Sequence, residues 1–141
     1  MKHYWDTSAV INALVSTSVW SRLDSGEHVT RLHTFFEFFS TITGRGIKLT
    51  NEQGTKVSFT LSAADAATWL RKFSSRIQVD ELNLDQTLAG FDQAEKKGIQ
   101  GGMIYDFGHS LAAAHSGAAS LLTRNTDDFR RVGGKTRLEW P

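Results

Sequence analysis

Lys2-His3-Tyr4-Trp5-Asp6-Thr7-Ser8-Ala9 is the stretch on which the reading of this chain turns. Residues 2–6 form a short, aromatic-rich run of strand type. Asp6, Thr7 and Ser8 then offer side-chain oxygens that accept hydrogen bonds from the unpaired N–H groups of a helix start. Ala9 to Val15 continue as a short apolar helix, so a strand hands over to a helix through an acidic residue. Ser16-Thr17-Ser18 starts a second helix through Leu23, and Asp24-Ser25-Gly26 stops it.

The same alternation runs outward along the chain. His28 to Arg31 reads as a second strand and His33 to Thr43 as a helix ended by Gly44. In that helix Phe35, Phe36, Phe38 and Phe39 surround Glu37, which predicts burial on more than one side. Ile47-Lys48-Leu49-Thr50 and Val57-Ser58-Phe59-Thr60-Leu61 alternate around Asn51-Glu52-Gln53-Gly54, the pattern of a β-hairpin within 46–61. Ser62 caps a helix to about Phe73, Arg76 to Leu82 reads as a third strand, and Asp85 to Lys97 as a helix closed by Gly98. After the glycine-rich loop Gly98–Gly102, Met103 to Ser116 is a helix stopped by Gly117. Ala118 to Thr123 is a buried strand, Asn125 opens a short helical turn, and Thr136 to Trp140 is a last strand. Short apolar strands separated by helices indicate an α/β sandwich with a mostly parallel sheet.

Bulk properties narrow the classes. The 141 residues contain no repeat, linker or low-complexity tract, so a single domain over 1–141 is expected, with 46–61 as an inserted hairpin. A net charge of +1 argues against sequence-independent coating of DNA and leaves local nucleic-acid contact open. The absence of cysteine rules out disulfides and cysteine-bound zinc, and fits a reducing cytoplasm. No run approaches the roughly 18 apolar residues that span a bilayer, and Met1 to Asp6 has no signal-peptide core. A soluble, cytoplasmic chain without membrane contact is expected.

Four acids, Asp6, Glu37, Asp106 and Asp128, are each embedded in apolar sequence. Burying a carboxylate costs free energy unless a partner or a metal neutralises it. In open α/β sheets, ligands bind beyond the carboxyl ends of the strands. Asp6 ends the first strand, Asn125 to Asp128 follow the fourth, and Asp106 and Glu37 can face the same crevice. A shared divalent cation explains all four. Hard oxygen donors without sulfur suit Mg²⁺ or Mn²⁺.

Plainer roles compete. Asp6 can be an N-cap only, Glu37 a solvated residue or the partner of an arginine, and Asp106 a complement to a helix dipole. Asp127 and Asp128 compete for one inward position. His109, three residues after Asp106, reads as the edge of the site or as a partly buried surface residue. Trp5, Trp20, Trp69 and Trp140 read as core or interface anchors. Gly101-Gly102 lacks the residues of a phosphate-cradling loop, and no nucleophile elbow appears.

These residues carry a resemblance. Asp6-Thr7-Ser8-Ala9 resembles the opening motif of PIN-domain proteins, and Glu37 within an apolar helix fits the same pattern. Tyr105-Asp106, Leu111-Ala112-Ala113-Ala114, Gly117 and Leu121-Leu122-Thr123-Arg124-Asn125-Thr126-Asp127-Asp128-Phe129 resemble the C-terminal half of VapC-type toxins. The resemblance covers most of the chain. It implies a PIN-like three-layer sandwich, with a central mostly parallel sheet of about five strands flanked by helices, and a Mg²⁺- or Mn²⁺-dependent endoribonuclease site.

By position, Asp6, Glu37 and Asp106 match the family's central acids. The fourth position falls on Asn125, with Asp128 completing the site, Ser8 supporting Asp6, and Thr123 and Asn125 lying beside it. Arg124 is placed to steer RNA. The implied partners are an RNA substrate and a cognate antitoxin. A homodimer is also implied, joined through the 63–73 helix or the hairpin, near Trp20, Phe35, Phe39 and Trp69. The hairpin and the Gly98–Gly102 loop depart from the family's minimal pattern.

The function that follows is hydrolysis of RNA by metal-activated water, leaving a 5′-phosphate and a 3′-hydroxyl, as the toxin of a toxin–antitoxin pair. The alternative is a PIN-fold protein- or RNA-binding module without catalysis. Phosphoaspartate chemistry is disfavoured, because Asp6 does not open an Asp-x-Asp pattern.

Overall fold

The computed structural model describes residues 1–50 and 53–141. Five parallel strands form one sheet in the order β5-β2-β1-β6-β7, with β1 Lys2–Trp5 at its centre, β2 Glu27–Thr30, β5 Gln78–Val79, β6 Ser120–Leu122 and β7 Arg137–Glu139. The helices are α1 Thr7–Val15, α2 Thr17–Ser21, α3 Leu32–Thr43, α4 Ala63–Ser74, α5 Leu84–Lys96, α6 Met103–His115 and α7 Thr126–Val132. A separate antiparallel hairpin pairs β3 Ile47–Thr50 with β4 Lys56–Phe59. Its expected turn residues Asn51 and Glu52 lie outside the described residues.

Side chains alternate across a strand, so the two residues that end β1 found two half-cores. Trp5 packs with residues of α1, α2, α3 and α4, including Val10, Phe38 and Phe73, and takes Leu122 of β6 with it. Tyr4 goes to the other face, with Phe107 and Ala113 of α6, Phe129 of α7 and Leu121. Both aromatics are fully buried. Polar groups lock the centre: the Trp5 indole N–H donates to His28 Nδ1 at 3.0 Å, and Thr30 Oγ1 donates to the Trp5 carbonyl at 2.8 Å.

Several elements differ from expectation. The third strand shrinks from 76–82 to Gln78–Val79. It is an edge strand held by β2 alone, and after Asp80 N–H donates to the Thr30 carbonyl the chain leaves towards the Asn83 cap of α5. The second helix ends at Ser21 and tightens into a 3₁₀ turn over Arg22–Asp24. The helix α3 is buried on one face only, through Thr34, Phe38 and Ile42, while Phe36 is 74% exposed. One helix against one sheet has a single inward stripe, and four phenylalanines in five positions exceed it.

The aromatic surface around Trp20 and Trp69 is largely used inside the chain. The Trp69 ring stacks on Phe38 at 4.8 Å and Phe73 at 5.3 Å and meets Trp20 edge-on at 5.7 Å. Exposed apolar side chains lie instead on α3 (Leu32, Phe36) and along α5 (Leu84, Leu88, Phe91).

The hairpin is seated where Gly46 crosses β4. Its φ of +71° and a Cβ position only 2.5 Å from the Phe59 carbonyl oxygen admit no side chain. Among the described residues, no helix is long and apolar enough to cross a membrane.

Candidate active site

Parallel strands all point their carboxyl ends to one edge, and β1 and β6 bring Asp6 and Thr123 together there. Asp6 ends the ladder, its N–H donating to the Leu122 carbonyl at 3.2 Å, and caps α1. Its Oδ1 accepts from Ala9 N–H at 2.8 Å and Ser8 Oγ at 2.7 Å, and its Oδ2 accepts from Thr123 Oγ1 at 2.6 Å. Ser8 and Thr123 are themselves held, Ser8 Oγ accepting from Arg124 N–H at 2.8 Å and Thr123 Oγ1 from Asn125 N–H at 2.9 Å. Burial dominates these hydrogen bonds and, with the nearby Asp106 charge, raises the Asp6 pKa from 3.8 to about 6. Besides capping α1, Asp6 accepts from the hydroxyls of Ser8 and Thr123.

Glu37 sits half-buried on α3 and is paired, though not with an arginine. Its Oε1 lies 2.8 Å from His109 Nε2 and 3.2 Å from His33 Nε2. Burial pushes its pKa up, and the hydrogen bond from His109 with the fields of His109 and His33 more than reverses this, so Glu37 stays ionised. His109 is fully buried on α6, and burial lowers its pKa to about 4 against the pull of Glu37. A neutral ring beside an ionised carboxylate carries its proton on Nε2. Its Nδ1, 2.8 Å from Tyr4 Oη, then accepts from the phenol, whose pKa burial raises. Tyr4, His109 and Glu37 form a directed chain from the core to the site edge.

Asp106, in the first turn of α6, is half-buried. Burial raises its pKa, and the charges of Asp128 and Glu37 raise it further. Among the described residues no donor or cation rests against its carboxylate. Asp128 on α7 is half-exposed and 3.4 Å from Arg131, whereas the Asp127 side chain is 84% exposed; Asp128 is the inward member. Asn125 makes no side-chain cap to α7 and turns into a groove of about 560 Å³ that also takes in Thr7, Ser8 and Glu37.

The four acids thus share one edge and one electrostatic neighbourhood. Asp6 lies behind Ser8, and Asp106 and Asp128 stand outside the groove lining. Among the described residues, no three His, Asp or Glu side chains close into a set ready to hold a metal ion. The donor set still suits a hard cation: oxygen ligands only, mutually repelling, one of them with no partner.

Tyr4 was missed in the sequence; His109 reads there as the edge of the site or a partly buried surface residue, and its bond to Tyr4 was not foreseen. The signal that placed His109 was its three-residue step from Asp106, which puts both on one side of α6.

No family model and no curated protein sequence matches the chain. Solved structures do. One is a chain of the crystal structure of VapBC2 from Rickettsia felis bound to a DNA fragment from their promoter. It matches with a TM-score of 0.69 over 100% of this chain and 99% of that one, at 16% identity. Another is a chain of VapBC-1 from nontypeable Haemophilus influenzae, with a TM-score of 0.65 over 99% and 98% of the two chains, also at 16% identity. The chain has the PIN fold. At this identity the likeness is one of architecture. In this PIN fold the acidic edge lies at the carboxyl ends of β1 and β6, where a parallel sheet places its ligands.

Proposed function

We propose that the chain is a Mg²⁺- or Mn²⁺-dependent endoribonuclease and the toxin of a toxin–antitoxin pair, kept inactive by its cognate antitoxin. The observation that carries this reading is the Asp106 carboxylate. It is half-buried, lacks a donor or cation among the described residues, and faces the charges of Asp128 and Glu37 beside the buried Asp6. Such an arrangement is costly unless a cation is shared. The partner assignment rests on the likeness to chains of VapBC complexes.

Asp6, Glu37, Asp106 and Asp128 would hold the cation. When bound, it supplies a more acidic water and charge neutralisation at the phosphate. The chain's own residues do the rest. Ser8, Thr123 and the Ala9 N–H fix the Asp6 oxygens, while Tyr4 and His109 aim Glu37. Arg124 at the rim binds the RNA backbone. Water adds to phosphorus, the bond from phosphorus to the 3′ oxygen breaks, and that oxygen takes up a proton. The products are a 5′-phosphate and a 3′-hydroxyl.

The test is Asp106→Asn, which keeps size and removes the charge. The variant folds and loses cleavage of single-stranded RNA in Mg²⁺ or Mn²⁺, and wild type expressed without its antitoxin slows growth. A folded Asp106→Asn protein that cuts at the wild-type rate overturns the assignment. A PIN-fold binding module without catalysis then takes its place, a reading favoured by the carboxylates not closing into a ready cation site.

Assembly as a homodimer belongs to the same proposal, with Leu84, Leu88 and Phe91 of α5 offering an exposed apolar face. Light scattering that reports a monomer at tens of micromolar rejects it.

A further inference from the structure

The groove of about 560 Å³ that ends at Glu37 is bounded by the inserted hairpin. Its lining includes Arg45, immediately before Gly46, and Lys48 on β3, together with Arg124 and Trp140. Five of the other arginines, Arg22, Arg76, Arg130, Arg131 and Arg137, each lie against a carboxylate. Among the described residues, no carboxylate pairs with Arg45, Lys48 or Arg124. Arg124 is held over the Trp140 ring at 5.2 Å instead, which fixes its direction without cancelling its charge. In a chain of net charge +1, three such cations around one groove concentrate positive charge there. That field faces an edge of four acids, so its occupant is anionic and has to bring negative charge towards a site that would hold a cation.

We infer that the hairpin is a substrate wall: Arg45 and Lys48, together with Arg124, grip consecutive phosphates of single-stranded RNA in the groove leading to Glu37. This rests on the nuclease reading and gives the hairpin a task within it. Ligand pockets run to roughly 300–1,000 Å³, so a groove of this size takes a nucleotide or so of single strand, and a duplex does not enter. The seat of Gly46 against β4 holds Arg45 and Lys48 at a fixed place on the rim, so they bind as part of the fold.

The experiment is anisotropy of a labelled single-stranded RNA of about a dozen nucleotides, in EDTA to prevent cleavage, across a salt series. The double variant R45A/K48A is compared with wild type and with K96A/K135A, which removes equal charge from exposed positions outside the groove. Circular dichroism melts confirm folding, since Arg45 and Lys48 are exposed. Each phosphate contact on a single strand contributes about 0.7 to the slope of log affinity against log salt. Losing two lowers the slope by about 1.4, so between about 50 and 200 mM salt wild type loses roughly sevenfold more affinity than R45A/K48A. The control keeps the wild-type slope. With Mn²⁺ present, R45A/K48A raises KM and leaves kcat unchanged.

Equal slopes for R45A/K48A and wild type, with wild type still cutting RNA, overturn the inference and leave the nuclease reading standing. The expected slopes without any cleavage by wild type keep the groove and remove the nuclease. Wild type that neither binds nor cuts removes both. Unchanged RNA affinity with lost binding of an acidic polyglutamate peptide assigns the wall to a protein segment and overturns the inference.

Discussion

Replacing Asp6 by asparagine separates the cost of a buried charge from the value of the hydrogen bonds around it. Asp6 is 3% exposed, and burial outweighs its three hydrogen bonds to raise its pKa from 3.8 to about 6. A carboxyl that holds its proton more tightly when folded adds stability below about pH 4, and that contribution is lost as pH rises through about 6. At neutral pH the ionised group therefore costs the native state about 3 kcal/mol.

Asparagine carries no such cost, and its hydrogen bonds can be rearranged. Its oxygen accepts from Ala9 N–H and Ser8 Oγ, and its amide donates to Thr123 Oγ1, whose hydroxyl then turns to Ser8, 3.3 Å away. The expected gain for Asp6→Asn near pH 7 in EDTA is about 2–3 kcal/mol, or roughly 5–10 °C in Tm for a domain of this size. The gain vanishes near pH 4. Urea and thermal melts of both proteins from about pH 4 to 8 measure it. Added Mn²⁺ at about 100 times its Kd stabilises wild type by about 2.7 kcal/mol, and leaves the variant where it was. An Asp6→Asn protein less stable than wild type at neutral pH, or parallel pH profiles for the two, would refute the claim that Asp6 is buried at a cost.

Tyr4→Phe removes the donor to His109 Nδ1 and leaves a buried acceptor unpaired, with an expected loss of about 1–3 kcal/mol in urea melts. In the same variant, nitrogen NMR of His109 shows mixed tautomers where wild type shows the Nε2–H form alone; a wild-type Nδ1–H form would break the Tyr4–His109–Glu37 chain as described. Gly46→Ala forces a side chain onto a φ of +71° and against the Phe59 carbonyl, and costs about 2 kcal/mol or more. A change within about 0.5 kcal/mol, the range of an ordinary surface substitution, would show that the hairpin is not seated through Gly46.

The sequence by itself determined the alternation of strands and helices, the hairpin, and the acids at Asp6, Glu37, Asp106 and Asp128. These are local signals: apolar period, turn chemistry, and capping oxygens next to a strand end act over a few residues. The length of the third strand was not local, because an edge strand extends only as far as its neighbour β2 offers partners. Nor was the burial of α3. Its four phenylalanines look alike in sequence, and only docking on one face of the sheet buries Phe38 and leaves Phe36 in solvent.

The tertiary structure alone decided the chemistry of the histidines and cations. His109 becomes a neutral, buried donor because Tyr4 of β1 and Glu37 of α3 meet it from residues 105 and 72 positions away. Arg124 was legible in the sequence as a rim cation, whereas Arg45 and Lys48 are ordinary surface cations there. Among the described residues, no carboxylate pairs with these three around one groove, while Arg22, Arg76, Arg130, Arg131 and Arg137 each lie against one. Charge pairing is a through-space property, and spacing along the chain holds no record of it.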